Sequence, residues 1–175
     1  MKPAARMLIA AVAIIGIAAV LFLTHRSNSH ARRSAAPSRF APDFALPQLD
    51  GQELRLSSYR GKVVLLDFWA SWCEPCRVET PHLIELQQKY GDRGLQIIGV
   101  SMDDSPDPAR VFYRQYHMNY PVVMGNAKTG EEYGGVLGLP IAFLIDRDGR
   151  IKAKHIGATK PEVFEKDIAS LLQTS

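Results

Sequence analysis

The only two cysteines of this 175-residue chain stand three positions apart, in the stretch WCEPC at residues 72–76. They follow KVVLLDFWA (62–70), an apolar run of strand length, which is typical of a strand buried on both faces of a sheet. Residues 74–90 then carry apolar side chains at helical spacing. The cysteine pair therefore lies where a buried strand turns into a helix, and a unit of this kind predicts an α/β domain.

The rest of the globular part repeats this alternation of strands and helices. Thr159 and Glu162 have the spacing of a capping box for the last helix, and Asp50-Gly51 predicts a tight hairpin turn with positive φ angles. The pattern predicts an α/β sandwich with two parallel βα units, a hairpin and a terminal helix. The further predicted strands are 94–102, 120–124, 141–146 and 151–157, and the further predicted helices are 107–117 and 161–172.

The first 39 residues differ in composition from the rest of the chain. Residues 7–23 carry no charged or polar side chain and are about long enough for a membrane helix, which needs roughly 17–25 residues. The apolar run exceeds a typical signal-peptide core, and no convincing cleavage site follows it, so we predict an uncleaved anchor rather than a signal peptide. The predicted organisation is a membrane anchor (1–24), a flexible tether (25–39) and a globular domain (40–175).

Charge excludes one function class and leaves the membrane orientation open. The net charge of +3 is mild and no basic run enters the globular part, so the sequence predicts no nucleic-acid partner. Two basic residues precede the apolar segment and four arginines follow it before residue 40. The positive-inside rule therefore does not place the N-terminus in the cytoplasm.

A Cys-x-x-Cys pair can serve as a structural disulfide, a metal site or a redox-active dithiol. A loop this short stabilises little through chain entropy. Two cysteines do not complete a tetrahedral zinc site, and no suitably spaced histidine or carboxylate pair stands nearby, although a two-thiolate copper(I) site stays open. The position after a strand and before a helix favours the redox-active dithiol. We expect no metal and no cofactor beyond a Cys73–Cys76 disulfide.

The helix start assigns different roles to the two sulfurs. Free N–H groups and partial positive charge at a helix N-terminus stabilise a thiolate. Cys73, expected at an exposed tip, should attack a partner disulfide, and the shielded Cys76 should resolve the mixed disulfide. Glu74 between them disfavours the thiolate through its charge, and we expect it to tune the couple toward more reducing potentials. Trp72 and Pro75 shape the loop, with Trp72 as an exposed apolar platform for a protein substrate.

The stretch VVLLDFWASWCEPCRVETP resembles the active-site region of thioredoxin-fold proteins. Together with APDFALPQLDGQELRLSSYRGK before it and LGLPIAFLIDRDGRI after it, the wider pattern is similar to the membrane-anchored TlpA/ResA type. The resemblance covers residues 40–175. It implies a thioredoxin fold, a three-layer α/β/α sandwich, with an extra N-terminal β-hairpin and a central insertion. It also implies a domain exposed outside the cytoplasmic membrane, in the periplasm or extracytoplasmic space.

The same resemblance implies roles for further residues. Asp67 matches the buried acid of thioredoxins, a proton acceptor for Cys76, and a charged group inside an apolar strand needs such a reason. Glu79 matches an acid one turn after the second cysteine, for which a solvated surface carboxylate is the alternative interpretation. Pro140 matches the cis-proline that faces the active site, and Leu139 beside it would offer backbone groups to an extended substrate.

Four functions are consistent with these residues. The favoured one is an anchored reductase of extracytoplasmic protein disulfides, such as those of apocytochrome c or of copper-site cysteines in respiratory oxidase assembly, with a transmembrane thiol reductase as electron donor. The alternatives are a disulfide oxidase or isomerase, a thiol peroxidase and a copper chaperone. Ser71 and Trp72 stand where peroxidases have Thr and Pro, and no histidine or methionine ligands with copper-site spacing are present. The tyrosines at positions 113, 116 and 120 are interpreted as packing or surface aromatics.

Overall fold

The computed structural model describes residues 40–173. The predicted anchor (1–24) and tether (25–39) lie outside this range, and both stay predictions. Among the described residues, no helix combines the length and the apolar character needed to cross a membrane. The elements, in chain order, are β1 (Ala45–Pro47), β2 (Glu53–Arg55), β3 (Val63–Trp69), α1 (Glu74–Tyr90), β4 (Leu95–Ser101), α2 (Pro106–Tyr116), β5 (Val122–Met124), α3 (Ala127–Glu132), β6 (Ile141–Ile145), β7 (Ile151–Ile156) and α4 (Pro161–Gln173).

The central sheet has five strands in the order β5-β4-β3-β6-β7. The pairs β3–β4 and β4–β5 are parallel, whereas β3–β6 and β6–β7 are antiparallel. Every residue of β3 is buried, as expected for a strand covered on both faces. The predicted α/β arrangement of two parallel βα units followed by a hairpin and a helix is therefore confirmed.

Two hydrophobic cores lie on the two faces of this sheet. Because side chains alternate along a strand, Leu65 and Trp69 of β3 face one core and Leu66 and Phe68 face the other. Residues of α1, α2 and α4 fill the first core. Residues of the β1–β2 hairpin and the Tyr133 ring after α3 fill the second. The sequence position of Asp67, two residues from both Leu65 and Trp69, places it on the face of the first core.

The N-terminal hairpin forms, but with a longer connection than a tight Asp-Gly turn. Its register pairs Leu46 with Leu54, and five residues separate the two strands. Gly51 has a positive φ of 89° while Asp50 does not, and the Asp50 carboxylate instead accepts the N–H of Gln52 at 2.9 Å. A two-residue turn with both φ angles positive was the wrong prediction, because the aspartate side chain closes the loop itself.

Helix α2 and strand β5 occupy the segment where the resemblance implies a central insertion. The carbonyl of Val122 in β5 accepts the N–H of Leu49 at 3.2 Å. Gln48 forms a bridge with Val123. The N-terminal hairpin is thereby joined to one side of the central sheet.

Candidate active site

Both cysteines lie at the start of α1 and are joined by a disulfide with an S–S distance of 2.01 Å. Cys73 is the N-cap residue, with an extended backbone, and its Sγ accepts the N–H of Cys76 at 3.3 Å. Pro75 stands in the first turn, where a missing N–H costs nothing. The predicted strand–turn–helix setting of the pair is confirmed, and a helix N-terminus supplies the N–H groups that stabilise a thiolate there.

The sulfur-bearing residues are more buried than we expected. Cys73 is 4% exposed and Cys76 2% exposed, so the expectation that Cys73 forms an exposed tip is wrong for the disulfide form. In that form the Cys73 sulfur points back to the helix, toward the N–H and the sulfur of Cys76. Trp72, in contrast, is 68% exposed, and Pro75 is exposed as well. The indole therefore provides the apolar surface beside the disulfide.

The loop before β6 approaches the same end of the sheet. The Leu139–Pro140 peptide bond is cis, as the resemblance implies. Phe68 pairs with Ile141 across β3 and β6, so Pro140 lies level with the end of β3, where the cysteine turn begins. Leu139 packs against the buried cluster that contains both cysteines. The cis-proline loop therefore lies at the end of the sheet where the cysteine turn begins, and the role of Leu139 in substrate binding stays a prediction.

Asp67 is a buried carboxyl group on the strand that leads to the cysteines. It is 3% exposed, and its Oδ1 has no hydrogen-bond partner among residues 40–173. Burial, and secondly the charge of Glu79, raises the pKa of Asp67 well above its ordinary value. Because the charged form is disfavoured, this carboxyl group holds a proton beneath the active site.

Glu79 lies one turn beyond Cys76 and is also buried, at 4% exposed. The alternative interpretation as a solvated surface carboxylate is therefore wrong. Burial raises the pKa of Glu79 to about 7, although the Thr159 N–H, which donates to its Oε1 at 2.9 Å, acts in the opposite direction. The predicted capping box is wrong: the last helix begins at Pro161, which puts Thr159 one residue before the N-cap. The Thr159 N–H donates to Glu79, and its hydroxyl donates to the Gly157 carbonyl at 3.2 Å. A carboxyl group with this pKa exchanges protons at neutral pH.

Glu74 is exposed and close to a positive charge. Its carboxylate lies 3.8 Å from the Arg77 guanidinium, and both side chains are largely in solvent. Screening keeps such a contact weak. The Arg77 guanidinium also donates to the carbonyl of Ser71 at 2.8 Å. The predicted tuning by Glu74 is therefore opposed in part by a neighbouring cation that the sequence interpretation did not consider.

Tyr120 is a member of the site that sequence reasoning missed. It is buried, and its hydroxyl has no hydrogen-bond partner in the described part of the chain. Burial, and after it the charges of Asp67 and Glu79, raises the pKa of Tyr120 well above its ordinary value. A buried phenol thus lies close enough to the two carboxyl groups for their charges to affect its pKa. An aromatic residue just before a short strand gave no signal of this beyond packing.

The arrangement combines a disulfide with two buried carboxyl groups whose raised pKa values favour the protonated form. Thiol–disulfide exchange needs a nucleophilic thiolate, a second thiol and a place for the second thiol's proton. Cys73, Cys76 and the Asp67–Glu79 pair are the groups of this site whose chemistry suits these three tasks, and their roles stay predictions. Within residues 40–173, no three or more histidine, cysteine or carboxylate side chains are close enough to hold a metal ion together.

Comparison with known proteins leads to the same chemistry. The family model described as AhpC/TSA family matches residues 37–154. The chain is 33% identical over 172 residues to thiol-disulfide oxidoreductase ResA of Geobacillus thermodenitrificans, covering 98% of this chain and 99% of that protein. It is 35% identical over 126 residues to ResA of Bacillus thuringiensis, covering 72% and 73%.

A solved structure from Chlorobium tepidum, named for the thiol:disulfide interchange protein DsbE, matches with a TM-score of 0.74 and 39% identity. The match covers 79% of this chain and 99% of that one. The likeness confirms the predicted thioredoxin-like fold, and the relatives confirm the predicted oxidoreductase activity on thiols and disulfides. The chain belongs to the AhpC/TSA family, and within it to the thiol-disulfide oxidoreductases of the ResA/TlpA type.

Proposed function

We propose that this oxidoreductase is a membrane-anchored reductase of protein disulfides outside the cytoplasm, working through Cys73 and Cys76 without a further cofactor. The observation that carries the proposal is the Cys73–Cys76 disulfide at the N-terminus of α1, backed by two buried carboxyl groups with raised pKa values. The exposed Trp72 beside it offers a surface to a polypeptide substrate.

The reaction proceeds by two exchange steps. In the reduced protein, the Cys73 thiolate attacks one sulfur of the substrate disulfide, the substrate S–S bond breaks, and a substrate thiolate leaves and takes up a proton. The Cys76 sulfur then attacks Cys73 in the mixed disulfide, which releases the second substrate thiolate and forms the Cys73–Cys76 bond. Two electrons pass from the cysteine pair to the substrate.

The second step requires that Cys76 lose its proton in a buried site. Glu79, with a pKa of about 7, is about half ionised at neutral pH and accepts that proton. Asp67 lies close enough for its pKa to respond to the charge on Glu79. The two carboxyl groups therefore act as one unit, in which a proton taken up by one makes the other easier to ionise.

We expect the charge beside Cys73 to favour the reducing direction, although the neighbouring Arg77 opposes this effect in part. The Glu74 carboxylate disfavours a thiolate at Cys73, so the reduced form gains less stability than in strong oxidants, whose reduced form is stabilised as thiolate. A redox titration against glutathione and dithiothreitol measures this. A potential as oxidising as that of a disulfide-forming oxidase would favour the alternative function, disulfide formation or isomerisation.

The apolar run at residues 7–23 supports an anchor in the cytoplasmic membrane. In an oxidising compartment a reductase needs a renewable source of electrons, for which a transmembrane thiol reductase is the proposed donor. Proposed substrates are extracytoplasmic proteins whose cysteines must be reduced before they receive a group, such as apocytochrome c before haem attachment or copper-site cysteines of respiratory oxidases.

Trapping tests the proposal. A Cys76→Ser variant keeps the attacking sulfur but does not resolve the mixed disulfide, so it should accumulate covalent complexes that disappear on reduction. A Cys73→Ser variant is the matched control and should trap far fewer. Recovery of extracytoplasmic cysteine-containing proteins from Cys76→Ser supports the proposed substrates. Recovery of none, in a strain that makes the variant at the normal level, contradicts them.

A further inference from the structure

The turn that presents Cys73 is held by a group of polar contacts outside the cysteine pair. Ser71, two residues before Cys73, donates its N–H to the Asp103 carboxylate at 3.2 and 3.1 Å and its hydroxyl to Asp103 Oδ1 at 2.7 Å. Its carbonyl accepts from the Arg77 guanidinium at 2.8 and 3.2 Å. All three polar groups of Ser71 therefore have a partner.

Asp103 itself is fixed to the end of β4. It is buried, and the hydroxyl of the fully buried Ser101 donates to its Oδ2 at 2.9 Å. That hydroxyl oxygen also accepts the Asp103 N–H at 3.2 Å. Nearby, the N–H of Met102 donates to the carbonyl of Trp69 at 2.8 Å, which ties the end of β4 to the end of β3. These hydrogen bonds hold the Asp103 carboxylate in a fixed position at the end of β4.

Burying a carboxylate costs folding free energy unless hydrogen-bond donors surround it. The side-chain and backbone donors to the Asp103 carboxylate come from two serines, one at the end of β4 and one in the cysteine turn. That turn is closed by a hydrogen bond from the N–H of Cys73 to the carbonyl of Ala70 at 3.1 Å. The hydrogen bonds that offset the burial of Asp103 thus also fix the backbone that leads into Cys73.

None of these contacts involves a sulfur atom. Opening the Cys73–Cys76 bond, or replacing it by a mixed disulfide, removes none of the partners of Ser71 or Asp103. The contacts of Ser71 with Asp103 and Arg77, here called the Ser71 clamp, therefore remain available in every redox form of the pair.

We propose that Asp103 is a positioning residue for disulfide exchange, which acts through the Ser71 clamp to hold Cys73 and Trp72 in one arrangement when a protein substrate docks. Both residues are in the clamped turn, since Trp72 lies between Ser71 and Cys73. A protein disulfide must meet the indole and the sulfur together, whereas a small disulfide needs only the sulfur. Loosening the turn therefore penalises protein substrates selectively. The inference rests on the proposed function, because only a protein that exchanges disulfides with polypeptides needs such an arrangement.

The experiment compares two second-order rate constants for the reduced full-length protein, one with insulin and one with the small disulfide dithiobis(nitrobenzoate). The variants are Asp103→Asn, which replaces a carboxylate oxygen by a donor, and Ser71→Ala, which removes one hydroxyl contact. We expect the insulin-to-small-disulfide ratio to fall about tenfold in Asp103→Asn and about threefold in Ser71→Ala. The matched controls are Asp104→Asn, at the exposed neighbouring carboxylate, and Ser71→Thr, which keeps the hydroxyl. Both controls should keep the ratio of the wild type.

A general loss of stability lowers both rate constants together and leaves the ratio unchanged. An unchanged ratio in folded Asp103→Asn and Ser71→Ala overturns the proposal, and if Asp103→Asn does not fold, Ser71→Ala decides alone. If the wild type oxidises reduced ribonuclease instead of reducing insulin, the proposed direction of the reaction is wrong. The clamp is then tested by the ratio of two rate constants of the disulfide form, one with reduced ribonuclease and one with a small thiol such as glutathione. A wild type that reacts with neither protein overturns both proposals.

Discussion

Replacing Glu79 by Gln changes one charge in the buried part of the active site while keeping the hydrogen bond that holds the side chain. The Oε1 atom of Gln accepts the Thr159 N–H as the carboxylate does. What the substitution removes is the ability to ionise. The difference in unfolding free energy between Glu79→Gln and the wild type should therefore change with pH, mainly through the ionisation of Glu79.

The magnitude follows from the pKa of Glu79, which rises from 4.5 to about 7 on folding. Below pH 4.5 the group is protonated in both states and costs nothing. Between 4.5 and 7 the unfolded chain releases the proton while the folded one keeps it, so stability falls as pH rises. Above pH 7 the full loss of unfolding free energy is reached, about 3 kcal/mol, because each unit of pKa difference corresponds to about 1.36 kcal/mol. The advantage of Glu79→Gln over the wild type should thus grow by about 2 to 3 kcal/mol between pH 5 and pH 8.

Urea unfolding of the disulfide form at pH 5, 6, 7 and 8, followed by far-UV circular dichroism, measures this difference. Glu85→Gln is the matched control, since Glu85 lies on the same helix but is exposed, and its effect should stay within about 0.5 kcal/mol at every pH. A Glu79→Gln advantage that is constant from pH 5 to pH 8 refutes the reasoning, because it would mean that Glu79 does not change its protonation between these values. The loss of the Glu79 charge also lowers the pKa of Asp67, which adds to the gain at pH 8.

Three further substitutions test other parts of the structure. Trp72→Ala should lower the rate of insulin reduction about tenfold, because the exposed indole is the proposed contact with the substrate. The unfolding free energy should stay within about 0.5 kcal/mol of the wild type, since the indole is largely in solvent. A large loss of stability in urea unfolding would show that Trp72 belongs to the core instead. Tyr120→Phe removes a buried hydroxyl that has no partner within residues 40–173, so urea unfolding should show no loss and a gain of up to about 1 kcal/mol. A loss of 2 kcal/mol or more, roughly the cost of a strong hydrogen bond, would contradict the absence of a partner. Leu83→Ala opens a cavity at a fully buried position and should cost about 3 kcal/mol, and an unchanged melting temperature would contradict the packing of α1.

Local signals in the sequence predict much of the fold. The continuous apolar run of β3 and the helical spacing of α1 predict both elements to within a residue of their observed limits. The cysteine pair and its place at the helix start depend on neighbouring residues alone, so spacing was sufficient to find them. The cis conformation of Pro140 came from the resemblance to a family, and the structure confirms it.

The parts that could not be predicted depend on contacts between distant residues. From neighbouring residues alone, Glu79 could equally be a surface carboxylate. Its burial depends on packing against the segment of Thr159, 80 residues later, whose N–H donates to it. The same contact occupies the Thr159 N–H, which would have to donate to Glu162 in a capping box. Asp103 is bonded to Ser71 across 32 positions, and nothing in the spacing of the two residues indicates this. Tyr120 precedes β5, and the pairing of β5 with β4 brings it near enough to the carboxyl pair for their charges to affect its pKa.

The two borders of the central sheet differ in how they resist pairing with a second molecule. Beyond β5, the chain's own hairpin occupies the border through Gln48 and Val123. Beyond β7, the described residues bridge only at Phe40 and Arg150. The strand carries two exposed lysines, Lys152, which pairs with Asp146 at 3.1 Å, and Lys154, which lies over the Phe143 ring. Lysines on an edge strand discourage pairing with a second copy. The two borders are thus protected in different ways, one by backbone pairing within the chain and the other by side-chain charge.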